Sequence, residues 1–227
     1  MRILLISDVH SNFPALRAVL ADAAFHDAVV CAGDVVGYGP NPVECVEKIS
    51  LGGFLSCQGN HDKAVATVET NWFNEDAQEA IRVNRGMLGP AHLKWLEELP
   101  TGSNIELGGL RVVVFHGSPT EPLTSYIFPD DAEAQAEGFL YAARADVMVL
   151  GHTHVPYTVE TKRGILVNPG SVGQPRDGDP RASYAILDTD AKTIEQRRTP
   201  YPIDEVAAEI DRLGLPHRFA SRLYRGN

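Results

Sequence analysis

Five times along this chain a run of apolar, mostly branched residues ends in a side chain able to hold a metal ion. ILLIS leads to Asp8 and His10, VVCAG to Asp34, FLSCQG to Asn60 and His61, VVVF to His116, and VMVLG to His152 and His154. Short runs of this composition are the pattern of strands buried on both faces. Between the first three, PALRAVLADAA and NPVECVEKIS carry apolar residues at helical spacing; Pro14 opens the first, and Asn41 is the N-cap candidate of the second. Alternation of this kind predicts an α/β protein. In an open sheet of that class the C-terminal strand ends share one rim, where ligand crevices form. Residues remote in sequence are thereby directed to one pocket.

The remaining pattern extends this reading. RILLIS, DAVVCAGD and GFLSCQGN with the two helices make two βα units feeding a third strand. Residues 63–99 keep a helical period broken at Gly86, Gly89 and Pro90, which predicts helices near 75–86 and 90–98. RVVVFHGS and ADVMVLGH predict buried strands flanking a helix near 130–144. YTVETKRGILVN and SYAILDTDAKTIEQRR alternate like hairpins turning at Lys162-Arg163-Gly164 and Asp190-Ala191-Lys192, and DEVAAEIDRLG reads as an amphipathic helix ended by Gly214 and Pro216. With 227 residues and an apolar share of 44%, one domain over residues 1–227 is expected.

Charge narrows the partners. Lys and Arg number 20 against 30 Asp and Glu, a net charge of -10, which argues against an extended nucleic-acid surface. Met1 and Arg2 lead straight into ILLIS without a signal-like segment, and no apolar run approaches the ~20 residues that span a bilayer. A cytoplasmic protein without a membrane partner is expected. Cys31, Cys45 and Cys57 are odd in number and lack CxxC spacing, so reduced packing residues are expected.

Asp8-Val9-His10 and His152-Thr153-His154 each set two ligands at i and i+2, which in extended backbone lie on one face with Cβ atoms ~6–7 Å apart. That spacing suits one metal or two metals ~3.5–4 Å apart. Gly33, Gly59, Gly117 and Gly151 beside the ligands permit unusual angles or close approach. Taken singly, each motif reads as a turn, a cap or a satisfied core histidine. Taken together, only oxygen and imidazole groups converge, and without a cation such groups at one buried rim would repel or stay unsatisfied. His26, His92 and His217 lack such context and are expected at the surface or in packing roles.

The ordered set SDVHSN, AGDVVGYGP, QGNHD, VFHGS and GHTHVP, followed by VNPGSVGQPR, resembles the calcineurin-like metallophosphoesterases, in particular their small bacterial and archaeal phosphodiesterase-like branch. The resemblance runs from Met1 to about Arg198. It implies a four-layer sandwich, two mixed β-sheets with helices outside, and a dinuclear metal site. Motif by motif, it implies Asp8, His10 and His154 on the first ion, Asn60, His116 and His152 on the second, and Asp34 bridging both. His61 would stay off the metals as acid or electrostatic partner of the leaving group.

Two divalent ions bring about +4 and the carboxylates of Asp8 and Asp34 about -2, so a charge of about +2 would attract phosphate in an acidic protein. A water bridging the ions would lose a proton near neutral pH and attack phosphorus in line, with His61 donating to the leaving oxygen. Imidazole, carboxylate and amide ligands suit Mn²⁺, Fe, Co²⁺, Ni²⁺ or Zn²⁺, and the asparagine oxygen with no thiolate favours Mn²⁺. Val36, Gly37 and Tyr38 stand where phosphoprotein phosphatases and symmetrical diadenosine-tetraphosphatases carry Asp-Arg-Gly, and Asp62 replaces their glutamate. The expected activity is therefore a phosphodiesterase on small organic phosphates, with a nucleotidase or dinucleoside-polyphosphate hydrolase as alternative. A non-catalytic scaffold is the third reading, and none of the seven ligand positions has decayed. Asn12 and Tyr38 are candidates for touching substrate. Arg176 would reach a phosphate or, by slight preference, pair with a carboxylate in the site. The cavity wall is expected from residues 63–100 and 118–130; the oligomeric state is left open.

Overall fold

The computed structural model describes residues 1–227. The strands are β1 (Arg2–Ile6), β2 (Ala28–Cys31), β3 (Leu55–Ser56), β4 (Gly102–Leu107), β5 (Leu110–Phe115), β6 (Val147–Val149), β7 (Tyr157–Glu160), β8 (Ile165–Asn168), β9 (Ala182–Asp188) and β10 (Thr193–Thr199). The helices are α1 (Phe13–Asp22), α2 (Pro42–Leu51), α3 (Asn60–Thr67), α4 (Glu75–Met87), α5 (Pro90–Glu98), α6 (Pro129–Ala143), α7 (Ile203–Arg212) and α8 (His217–Leu223). Two mixed five-stranded sheets form, in the orders β10-β9-β1-β2-β3 and β4-β5-β6-β8-β7. β1, β2 and β3 run parallel with β9 antiparallel beside β1, while β5, β6 and β8 run parallel between antiparallel β4 and β7.

Side-chain alternation builds four layers, as expected. Along β1, Ile3 and Leu5 face the second sheet while Leu4 and Ile6 face helices, and along β6, Val147 and Val149 face the first sheet while Met148 faces α6. The inter-sheet core of Ile3, Leu5, Val30, Val112, Val114, Val149 and Val167 is aliphatic and buried, which locks register because a one-residue slip would turn these side chains outward. Ile6 pairs with Cys31 and Val149 with both Val114 and Val167, so the loops beyond these strands leave at one level and meet. No helix is long and apolar enough to cross a membrane.

Several local expectations change. The third strand is only Leu55–Ser56, and QGNHD turns at once into α3, so Asn60 and His61 stand on the first turn of a helix. Asn41 occupies the N-cap of α2 but its side chain makes no cap hydrogen bond; Pro42 starts that helix. β4 and α8 were not expected. The three cysteines are buried and unpaired, as their spacing predicts.

Candidate metal centre

The parallel pairing of β1 with β2 continues past the strands. The amide of Asp8 donates to the Gly33 carbonyl at 3.0 Å, that of His10 to Asp34 at 2.9 Å and that of Ser11 to Val35 at 3.0 Å. The backbone there is not extended: Asp8, His10, Asp34, His152 and His154 all have positive φ, between 46° and 68°. The expectation that each i, i+2 pair shares a face through extended backbone is therefore wrong; left-handed residues aim these side chains inward. Such conformations cost about 1–3 kcal/mol each and persist where surrounding bonds enforce them. Of the four glycines singled out, Gly33 takes a left-handed φ of 87°, and a Cβ on Gly59 would overlap the Asp34 carboxylate.

The seven expected ligand residues converge. Asp8 Oδ1 lies 3.2 Å from His154 Nε2 and 3.7 Å from His10 Nε2, and the two imidazole Nε2 atoms are 3.0 Å apart. In the neighbouring group His116 Nε2 lies 3.0 Å from His152 Nδ1 and 2.9 Å from Asn60 Oδ1. Asp34 Oδ2 stands between the groups, 3.6 Å from His10 Nε2 and 3.3 Å from His116 Nε2. All seven are buried.

Backbone carbonyls set the tautomers. A carbonyl only accepts, so Nδ1–H of His10 donates to Val36 at 3.2 Å, that of His116 to Ala32 at 2.8 Å, and that of His154 to Gln174 at 2.5 Å. In the neutral rings of His10 and His154 this leaves an Nε2 lone pair pointed inward. Burial lowers His10 and His154 below their ordinary range and His152 to about 3, so the lone pairs of His10 and His154 oppose each other across 3.0 Å. His116 differs: burial lowers it most, but Asp34, Asp8 and the Ala32 carbonyl together outweigh burial and raise it to about 9. Burial opposes the charge on Asp8 and Asp34, yet the imidazoles, His154 for Asp8 and His116 for Asp34, hold both below the usual carboxylate range. Asp8 Oδ1 and His152 Nε2 are buried without a hydrogen-bond partner. Opposed lone pairs and an orphaned carboxylate oxygen are satisfied by cations, so the donor set fits metal ions.

The loops are held from behind. Asp8 Oδ2 accepts from the His152 amide at 3.1 Å, Ser171 Oγ donates to the Asp8 carbonyl at 2.7 Å, and Asn168 Nδ2 donates to the Gly151 carbonyl at 2.8 Å. VNPGSVGQPR thus works as a brace joining the ligand loops of the two sheets. Asp34 Oδ1 accepts from the His61 amide at 2.8 Å at the start of α3, where the helix dipole favours an anion. Asp62, which had no expected role, accepts from the amides of Val36 at 3.1 Å and Gly59 at 2.9 Å and so ties the Asp34 loop to α3. Burial and the nearby Asp34 push it up to about 7.

A cavity of about 230 Å³ opens on the cluster, lined among others by Asp34, Asn60, His61, His152 and His154. His61 Nδ1 is buried without a hydrogen-bond partner; the ring packs 4.4 Å from Tyr38, 4.8 Å from Phe73 and 4.9 Å from His10, and burial lowers it to about 4. Tyr38 lines the cavity. Asn12 does not: its Oδ1 caps α1 by accepting from Ala15 at 3.1 Å and its Nδ2 donates to the Gly173 carbonyl at 2.9 Å. Arg176 lines the cavity without the carboxylate partner expected of it, since every acid there is engaged by imidazole or backbone; it donates to Gln174 Oε1 at 3.0 Å and leaves a buried Nε free. The wall comes from the two expected segments, through Trp72, Phe73 and Asn74 and through Thr124 and Tyr126. None of these was identifiable singly; aromatics in non-periodic stretches were their only signal. His26, His92 and His217 lie away from the site, bonded to Ala23, Gly89 and Asp211.

Comparison with known proteins accounts for this arrangement. The family model described as the calcineurin-like phosphoesterase superfamily domain matches residues 1–192. The chain is 36% identical to the protein MJ0912 of Methanocaldococcus jannaschii over 99% of this chain and 98% of that one. It is 26% identical to Phosphodiesterase YfcE of Escherichia coli over 86% of this chain and 91% of that one. A crystal structure of a metallophosphoesterase from Sphaerobacter thermophilus superposes with a TM-score of 0.86 at 37% identity, covering 100% of this chain and 99% of the other. Strand-end motifs, sandwich and donor set agree with these matches: the chain belongs to the calcineurin-like phosphoesterase superfamily and is a metal-dependent phosphoester hydrolase.

Proposed function

We propose that the chain is a dinuclear phosphodiesterase acting on small organic phosphate esters, with Mn²⁺ as the favoured metal. The observation that carries this reading is the position of Asp34 Oδ2, shared between His10 at 3.6 Å and His116 at 3.3 Å. Asp8, His10 and His154 would hold one ion, Asn60, His116 and His152 the other, and Asp34 both. Ions bound there supply positive charge for phosphate oxygens and lower the pKa of water.

The chain's own residues do the rest. Asp34 fixes α3 through the His61 amide, so His61 keeps a constant position relative to the ligands. The ring of His61 packs against Tyr38 and Phe73 on the cavity wall, where the neutral imidazole that burial favours can donate an N–H hydrogen bond to the leaving oxygen. Arg176 offers guanidinium N–H groups to a phosphate oxygen, a role left open by its lack of a carboxylate partner. The name of the Escherichia coli relative, a phosphodiesterase, supports the diester preference.

Stripping the metal and restoring Mn²⁺, Ni²⁺ or Zn²⁺ tests this with bis(p-nitrophenyl) phosphate against p-nitrophenyl phosphate. Turnover of the diester that depends on metal and vanishes in Asp34→Ala is expected. Absence of turnover with every metal, or full turnover in the variant, overturns the reading.

A further inference from the structure

Two aromatic trails leave the ligand cluster. From His61, Phe73 follows at 4.8 Å edge-on, and Trp72 follows Phe73 at 4.8 Å. From His152, Tyr126 stacks at 3.8 Å. Trp72 and Tyr126 are 51% and 52% exposed, yet both line the cavity that opens on the ligands. A ring half in water contributes little to the core, and it offers a face on which a planar ligand can stack. Asp34 is the only carboxylate lining this cavity and Arg176 its only guanidinium, so an anion is admitted alongside the rings.

We propose that the His61 side of the cavity selects phosphate esters whose leaving group carries a planar aromatic ring, nucleosides being the class that fits, with the ring stacked on Trp72. This rests on the phosphoesterase reading, because His61 marks the leaving-group side. Distance favours a spacer: an aryl group bonded directly to the leaving oxygen would meet Phe73, whereas Trp72 lies one ring contact further out. A sugar between oxygen and ring bridges that interval. Asn74, the next lining residue, accepts from the Ala77 amide at 3.0 Å and from Arg218 at 2.8 Å, which anchors the segment bearing Trp72.

The test is calorimetric titration of the Mn²⁺-loaded full chain with methylene phosphonate analogues of AMP and of ribose 5-phosphate, in which CH₂ replaces the scissile oxygen. Wild type is expected to bind the adenosine analogue about tenfold more tightly. Trp72→Ala should erase that preference while leaving the ribose analogue unchanged, and Trp72→Phe should keep most of it. Equal affinities in wild type, or a preference that survives Trp72→Ala, overturns the proposal. If bis(p-nitrophenyl) phosphate is still hydrolysed in that case, only the nucleoside preference falls. If inorganic phosphate is not bound and no diester is hydrolysed, the phosphoesterase reading falls with it.

Discussion

Asp34 is the residue on which most of the site turns. One carboxylate oxygen faces both ligand groups, and the other receives the His61 amide at 2.8 Å. On the proposed assignment, metal binding and the placement of His61 are coupled through a single side chain. The ring of His61 makes no hydrogen bond to the assigned ligand residues, although one of its nitrogens lies within 4.8 Å of ligand atoms of His10 and Asp34. His61→Ala is accordingly expected to retain metal and to lower kcat by about 10²–10⁴-fold, more for alkyl than for nitrophenyl leaving groups. Steady-state kinetics beside elemental analysis checks this, and loss of metal in the variant would make His61 a ligand instead.

At the scale of elements, α4 clamps the loop that carries Tyr38. Asn84 Oδ1 accepts from the Gly37 amide at 2.9 Å and from Ser11 Oγ at 2.5 Å, while its Nδ2 donates to the Gly39 carbonyl at 3.0 Å. Asn84→Leu would strand these buried groups, at about 1–3 kcal/mol for each left unsatisfied; a lowered urea midpoint, with KM rising more than kcat falls, is expected. Strand ends, most helix bounds and the convergence of the seven strand-end residues are legible in the sequence, because branched apolar runs and terminal Pro, Gly and Asn residues act locally. β3 is shorter than GFLSCQGN predicts because the chain leaves the sheet after Ser56 and starts α3 at Asn60. β4 escaped notice because GSNIEL has a weak apolar face, and α8 because its seven residues are too few to show a period. Left-handed backbone at Asp8, His10, Asp34, His152 and His154 could not be read, since only hydrogen bonds between loops distant in sequence enforce it. Trp72 and Tyr126 were invisible for a related reason: cavity walls built from irregular segments follow no period.

For the whole molecule, two sheets with a buried aliphatic interface hold at one rim a cluster that would be unfavourable alone. Opposed imidazole lone pairs, two buried carboxylates and several left-handed residues are tolerated because the surrounding layers are well packed. Metal ions should relieve much of this cost. Mn²⁺ at about 100 times its Kd is expected to stabilise the fold by about 2.7 kcal/mol for each site filled, a rise in Tm of about 5–10 °C per site for a chain of this size, and thermal scans with and without chelator should show it. The rise should be largely lost in Asp34→Ala. Two adjacent sites sharing Asp34 fix the metal stoichiometry. Elemental analysis of the chain saturated with Mn²⁺ and freed of excess should find two ions per chain in the wild type, with occupancy lost from both sites in Asp34→Ala; a wild-type ratio that stays at one or below would rule out the paired site.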